Sequence, residues 1–147
     1  MDRGLAVALT AVCGGAIALQ APINSHLGKS VGTFQAAFVS FGIGTLLLFA
    51  IAAVAKGGIG DVRHATSLPW YYLMGGVLGA AYVTAVLVTV RSLGAGGVTA
   101  ATIAGQLAMA VVVDRFGLLG VAQKPIGTGR IVGLVLLAVG VALIVRD

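Results

Sequence analysis

Long apolar runs broken by brief polar punctuation make up nearly the whole chain. Stretches free of Lys, Arg and Asp cover 4–28, 30–55, 65–90, 92–113 and 131–145. The first four exceed the ~20 residues that an α-helix needs to cross the hydrocarbon of a bilayer. The fifth is shorter, but Arg130 and Arg146 at its ends extend along their own alkyl stems toward the headgroups, so it still spans. The pattern predicts an all-α integral membrane protein with helices over approximately 4–21, 33–55, 69–90, 97–116 and 129–145. The connections at 24–32, 56–68 and 124–128 hold most of the Lys, Pro, Asn and paired Gly, residues that interrupt helices. Trp70, Tyr71 and Tyr72, directly after Pro69, read as an interfacial aromatic anchor. No stretch is left for a separate soluble domain, so residues 1–147 form one five-helix transmembrane domain.

Composition decides what surrounds these helices. With 59% hydrophobic and 9% charged residues among 147, water cannot be the solvent for most side chains. Nine Lys and Arg against four Asp and no Glu give a net charge of +5. In a soluble protein that balance would suggest nucleic acid, but here the bases stand singly at the borders of apolar runs. They act as topology determinants and headgroup contacts, and no nucleic-acid partner is expected. Cys13 is alone, which excludes an intrachain disulfide or a cysteine-based metal site. Arg3, the apolar run after it and Ala16-Ile17-Ala18 imitate a signal peptide, yet four further spans favour an uncleaved first helix. Arg3, Lys56, Arg63, Arg115, Lys124 and Arg130 fall on one side of the membrane and Lys29, Arg91 and Arg146 on the other. The excess favours a cytoplasmic amino terminus, but it is small enough to allow dual topology.

Small residues recur at spacings that place them on one helix face. Ala36, Ser40 and Gly44 do so on the second helix, Gly75 and Gly79 on the third, Gly97, Ala101 and Gly105 on the fourth, and Gly129 and Gly133 on the fifth. Such faces let backbones approach closely in lipid. The fifth helix, with Gly133 and Gly140 among branched aliphatics and no polar group in its interior, is the expected subunit contact.

Polar groups at membrane depth are few and therefore informative. Gln20 and Asn24 flank Pro22, which removes a donor and would free the carbonyl of Ala18 if the helix ran through it. These groups suit a polar solute, or else Gln20 ties to a neighbouring helix and Asn24 caps a terminus. Gln106 lies near the middle of the fourth span and divides between ligand contact and interhelical tie. Tyr82 suits a pocket wall or plain packing. Asp114, ~12 Å along the helix from Gln106 by the rise per residue, is either an interfacial acid paired with an arginine from another loop or a proton or cation site that couples transport. No Ser-His-acid set, phosphate-cradling loop or metal-ligand cluster stands out, and His26 and His64 fall in loops on opposite sides, so neither an enzyme nor a cofactor or metal is expected.

The run 14–24, Gly-Gly-Ala-Ile-Ala-Leu-Gln-Ala-Pro-Ile-Asn, followed by Leu27-Gly28, resembles the opening of the YdcZ-type inner-membrane exporters of the drug/metabolite transporter superfamily. Gly105-Gln106-Leu107, the run Asp114-Arg115-Phe116-Gly117-Leu118-Leu119-Gly120, and later Arg130 with Gly133 look like the signature of the same family. The resemblance covers nearly the whole chain. Ala110 departs from it, standing where a small hydroxyl residue is expected. The small multidrug-resistance exporters of the same superfamily rely on a glutamate in the first helix, which this chain lacks, so that mechanism does not carry over. Larger relatives fuse two five-helix halves of opposite orientation, and this chain resembles one such inverted-repeat unit.

The resemblance implies a multi-pass protein of the inner (cytoplasmic) membrane that exports a small molecule. With no acid or base firmly at mid-membrane, the substrate is expected to be a neutral, zwitterionic or amphipathic metabolite. Two copies, or this chain and a paralogous five-helix partner of opposite orientation, would form an antiparallel dimer with Gln20, Asn24, Tyr82 and Gln106 at the shared pocket. The competing class is a non-transporting scaffold or accessory subunit that joins other helices through its glycine faces.

Overall fold

The computed structural model describes residues 2–56 and 58–146, and every regular element among them is helical. α1 covers Arg3–Val31 and α2 covers Thr33–Lys56. Short 3-10 turns at Gly60–Ser67 and Trp70–Leu73 lead into a helical run at Met74–Phe116, and the last helix covers Thr128–Arg146. Four segments have the length and apolar character to cross a membrane, and the third, Trp70–Phe116, has 47 residues. At the α-helical rise that is about 70 Å, more than twice the hydrocarbon thickness. It is broken at Gly94, whose φ of 66° and ψ of 172° no other residue type adopts readily. The run therefore divides into α3 (74–93) and α4 (95–116), and the last helix is α5.

α1 does not stop at Ala21 but runs ten residues further, through Pro22. The proline deletes one hydrogen bond, and the stretch beyond it is held by a buried stripe at helical spacing, Ala21, Asn24, Ser25 and Gly28. Asp2 starts the helix by accepting a hydrogen bond from the Gly4 N–H at 3.2 Å.

The chain packs as two compact units, residues 1–91 and 92–147. In the first, α1 and α2 form an antiparallel hairpin joined by Gly32 alone. Its N–H donates to the Gly28 carbonyl at 3.0 Å, and its carbonyl accepts from the Ala36 N–H at 2.9 Å, so one residue closes α1 and opens α2. A φ of 95° permits this, a value that side chains disfavour. Val83 and Leu87 of α3 pack on Ala36 and Ala37 of α2, with Leu27 and Tyr82 against the cluster. Farther along, the Phe41 ring lies on Gly79, where a Cβ would stand 3.5 Å from it.

In the second unit α4 and α5 run antiparallel. Val145 lies against Gly97 at one end, and Arg130 meets Asp114 at the other. The turn after α4 folds back on the helix end: the Lys124 N–H donates to the Asp114 carbonyl at 2.8 Å and Gln123 Nε2 to the Arg115 carbonyl at 2.9 Å. Gly117, left-handed with φ of 62°, makes the reversal.

The exposure pattern is the inverse of a soluble protein's. Phe34, Phe38 and Val54 are 75%, 79% and 87% exposed, and no residue of α5 is buried. Three threonine hydroxyls on the spans are satisfied within their own helices, since Thr10, Thr84 and Thr89 each donate to the carbonyl four residues back. This is a membrane protein.

Candidate functional site

Because α1 continues past Pro22, Asn24 comes to lie on its buried stripe instead of at a helix end. It is 6% exposed, and its Nδ2 donates to the Ser40 hydroxyl of α2 at 3.1 Å. The capping role considered for Asn24 is therefore replaced by an interhelical tie, the outcome physics favours for an amide surrounded by apolar side chains.

Two crevices meet at this tie. One lies between α1 and α3 and is lined by Ile17, Gln20, Ala21, Asn24, Tyr82, Val83, Val86 and Leu87. Its volume of about 10 Å³ is the space of a single water. The other lies between α1 and α2, measures about 220 Å³ and is lined by Gln20, Ser40, Phe41, Gly44, Thr45 and Leu48. Gln20 borders both, Asn24 the first and its partner Ser40 the second. The result is a seam of amides and hydroxyls crossing the helix contact, with the Tyr82 ring along one side and no ionisable acid or base other than that phenol among the lining residues. Gln20 and the Tyr82 hydroxyl make no hydrogen bond among the described residues, so both remain available to a solute.

The structure thus brings Gln20, Asn24 and Tyr82 together. Gln106 belongs to the other compact unit, where its side chain is exposed and forms no hydrogen bond among the described residues. Asp114 is held by Arg130, whose Nη1 donates to its Oδ2 at 2.8 Å, and both side chains keep partial solvent access. The partner comes from the first turn of α5 and not from a loop. Among the glycines expected to pack helices, Gly79 meets Phe41, while Gly75, Gly105, Gly133 and Gly140 have no atom within 4 Å of where a Cβ would stand. No group of three or more His, Cys, Asp or Glu able to hold a metal ion occurs among the described residues.

Ser40 and Thr45 are the members of the seam that sequence reasoning missed. Ser40 reads there only as a small residue in the row with Ala36 and Gly44. The usable signal was its hydroxyl, but finding its partner needs the register set by the one-residue turn at Gly32.

Residues 5–143 match the family model described as "Putative inner membrane exporter, YdcZ". No curated protein and no solved structure matches the chain.

Proposed function

The chain belongs to the YdcZ family of inner-membrane exporters, and from that premise we propose that it is a secondary transporter that carries a small neutral, zwitterionic or amphipathic metabolite out across the cytoplasmic membrane. The observation that carries this reading is the meeting of Gln20, Asn24 and Tyr82 on one crevice. An uncharged polar seam at membrane depth offers hydrogen bonds without the cost of burying an ion, which suits solutes of that class.

The narrowness of the α1–α3 crevice supports our reading of the transport step. The α1–α3 crevice holds no more than a water, so a solute enters only when these helices part. Asn24 then exchanges the Ser40 hydroxyl for a solute acceptor, and Gln20, at the border of both crevices, hands the solute from one to the other. Two copies of opposite orientation, or this chain and a paralogous partner, rock between equivalent states around the shared pocket. Gln106 contributes to that pocket, since an amide left exposed in hydrocarbon seeks a partner that lipid does not supply. α5, with no residue buried in its own chain, provides the subunit contact.

The test is efflux from liposomes containing only the purified chain and loaded with a panel of uncharged, zwitterionic and amphipathic metabolites, with and without an imposed gradient. Export of at least one member is expected, and Gln106→Leu or Asn24→Leu should abolish it while leaving assembly intact. Normal export by either variant removes that residue from the pocket. An active chain that moves solute as a lone copy ends the dimer reading, and an inert but well-assembled chain points to a scaffold.

A further inference from the structure

The α1–α3 crevice has a cation above it. α1 and α3 run side by side in the same direction here, with Asn24 beside Leu87, and one turn farther along each helix stand Gly28 and Arg91. Gly28 is buried, and a Cβ placed on it would lie 3.3 Å from Arg91 Nη2 and 3.3 Å from Leu87 Cδ2. The missing side chain thus leaves room for the guanidinium beside Gly28, one helical turn beyond Asn24 and Leu87 of the crevice lining. Arg91 is itself exposed, and its Nη2 lies against the buried backbone of Gly28. It makes no hydrogen bond or ion pair among the described residues, so its donors are open to a ligand.

We propose that Arg91 binds the carboxylate of the transported solute, so that the substrate is a small metabolite with one carboxylate and an apolar or amide-bonding body. The inference rests on the reading of the α1–α3 crevice as the solute site. A guanidinium presents paired donors that match the two oxygens of a carboxylate, and the bond is strengthened by its charge. By the rise per residue, Leu87 stands about 6 Å below and Tyr82 about 13 Å below; with Val86 they form an apolar wall, and Asn24 and Gln20 supply hydrogen bonds to the body of the solute. The negative charge stays at the end of the crevice beside the cation and never crosses the apolar contact unpaired.

Binding of labelled benzoate and of its uncharged counterpart benzamide to the full chain in phosphatidylcholine nanodiscs tests this. Wild type is expected to bind benzoate at least about tenfold more tightly than benzamide, in keeping with a charge-assisted hydrogen bond. Arg91→Gln should remove the preference without changing benzamide binding, and Arg91→Lys should keep part of it. Equal binding of the two probes by wild type, or an undiminished preference in Arg91→Gln, overturns the proposal. Loss of benzoate binding when phosphatidylglycerol is added to wild-type discs assigns the guanidinium to lipid headgroups and overturns it as well. Arg91-dependent benzoate binding by a chain that exports nothing from loaded liposomes keeps this inference and removes the transport reading, whereas export indifferent to carboxylates does the reverse.

Discussion

Asn24 and Ser40 carry the one side-chain hydrogen bond that joins α1 to α2 among the described residues. Removing either partner leaves the other facing apolar neighbours. A double-mutant cycle with Asn24→Leu and Ser40→Ala, read by unfolding in a denaturing detergent, should give a coupling of about 0.6–2 kcal/mol, the range of interhelical hydrogen bonds in membranes. Asp114 belongs to a different class, because both partners of its bond to Arg130 stay partly accessible at the helix ends. Screening limits such a pair to about 1 kcal/mol or less. Asp114→Asn is therefore expected to keep gradient-driven export within about twofold of wild type and to cost no more than that pair energy. Loss of proton dependence in that variant would instead identify a coupling acid. The polar residues were legible in the sequence, because an amide or acid stands out in an apolar run. Their partners were not, since Asn24 finds Ser40, and Asp114 finds Arg130, only after two helices have set their register.

At the scale of elements, the spans followed from apolar length and the charges between them, and their ends did not. Pro22 argued for a stop, but the stripe from Ala21 to Gly28 outweighs one lost hydrogen bond. The break at Gly94 falls inside the interval 91–96, where Arg91 already divides the third apolar run from the fourth, and only the single residue that makes it needed the backbone. Gly32 is the other such joint. Gly32→Ala imposes a side chain at φ of 95° and brings its Cβ to 2.5 Å from Gln35 Oε1, which a turn of the flexible Gln35 relieves. The backbone strain persists and should cost about 1–2 kcal/mol. Gly14→Ala, within α1 and with open space around the new methyl, is the matched control and should not destabilise. Equal stability of the two variants would show that the turn tolerates a side chain.

For the whole molecule, the large exposed apolar side chains of every span, and α5 with none buried, leave lipid and neighbouring helices as the surroundings. Tagging both termini in cells should reveal the two orientations in comparable amounts, as an antiparallel pair of identical chains requires. One fixed orientation would indicate an oppositely inserted paralogue. The joint at Gly32 bears on how that choice is made. With a single residue between them, α1 and α2 form one tight pin whose two free ends lie on the same side. Whichever compartment keeps Arg3 also keeps Lys56, and the two bases act in concert as one latch. A lone lysine grafted beside either should swing the entire population to a single handedness of insertion.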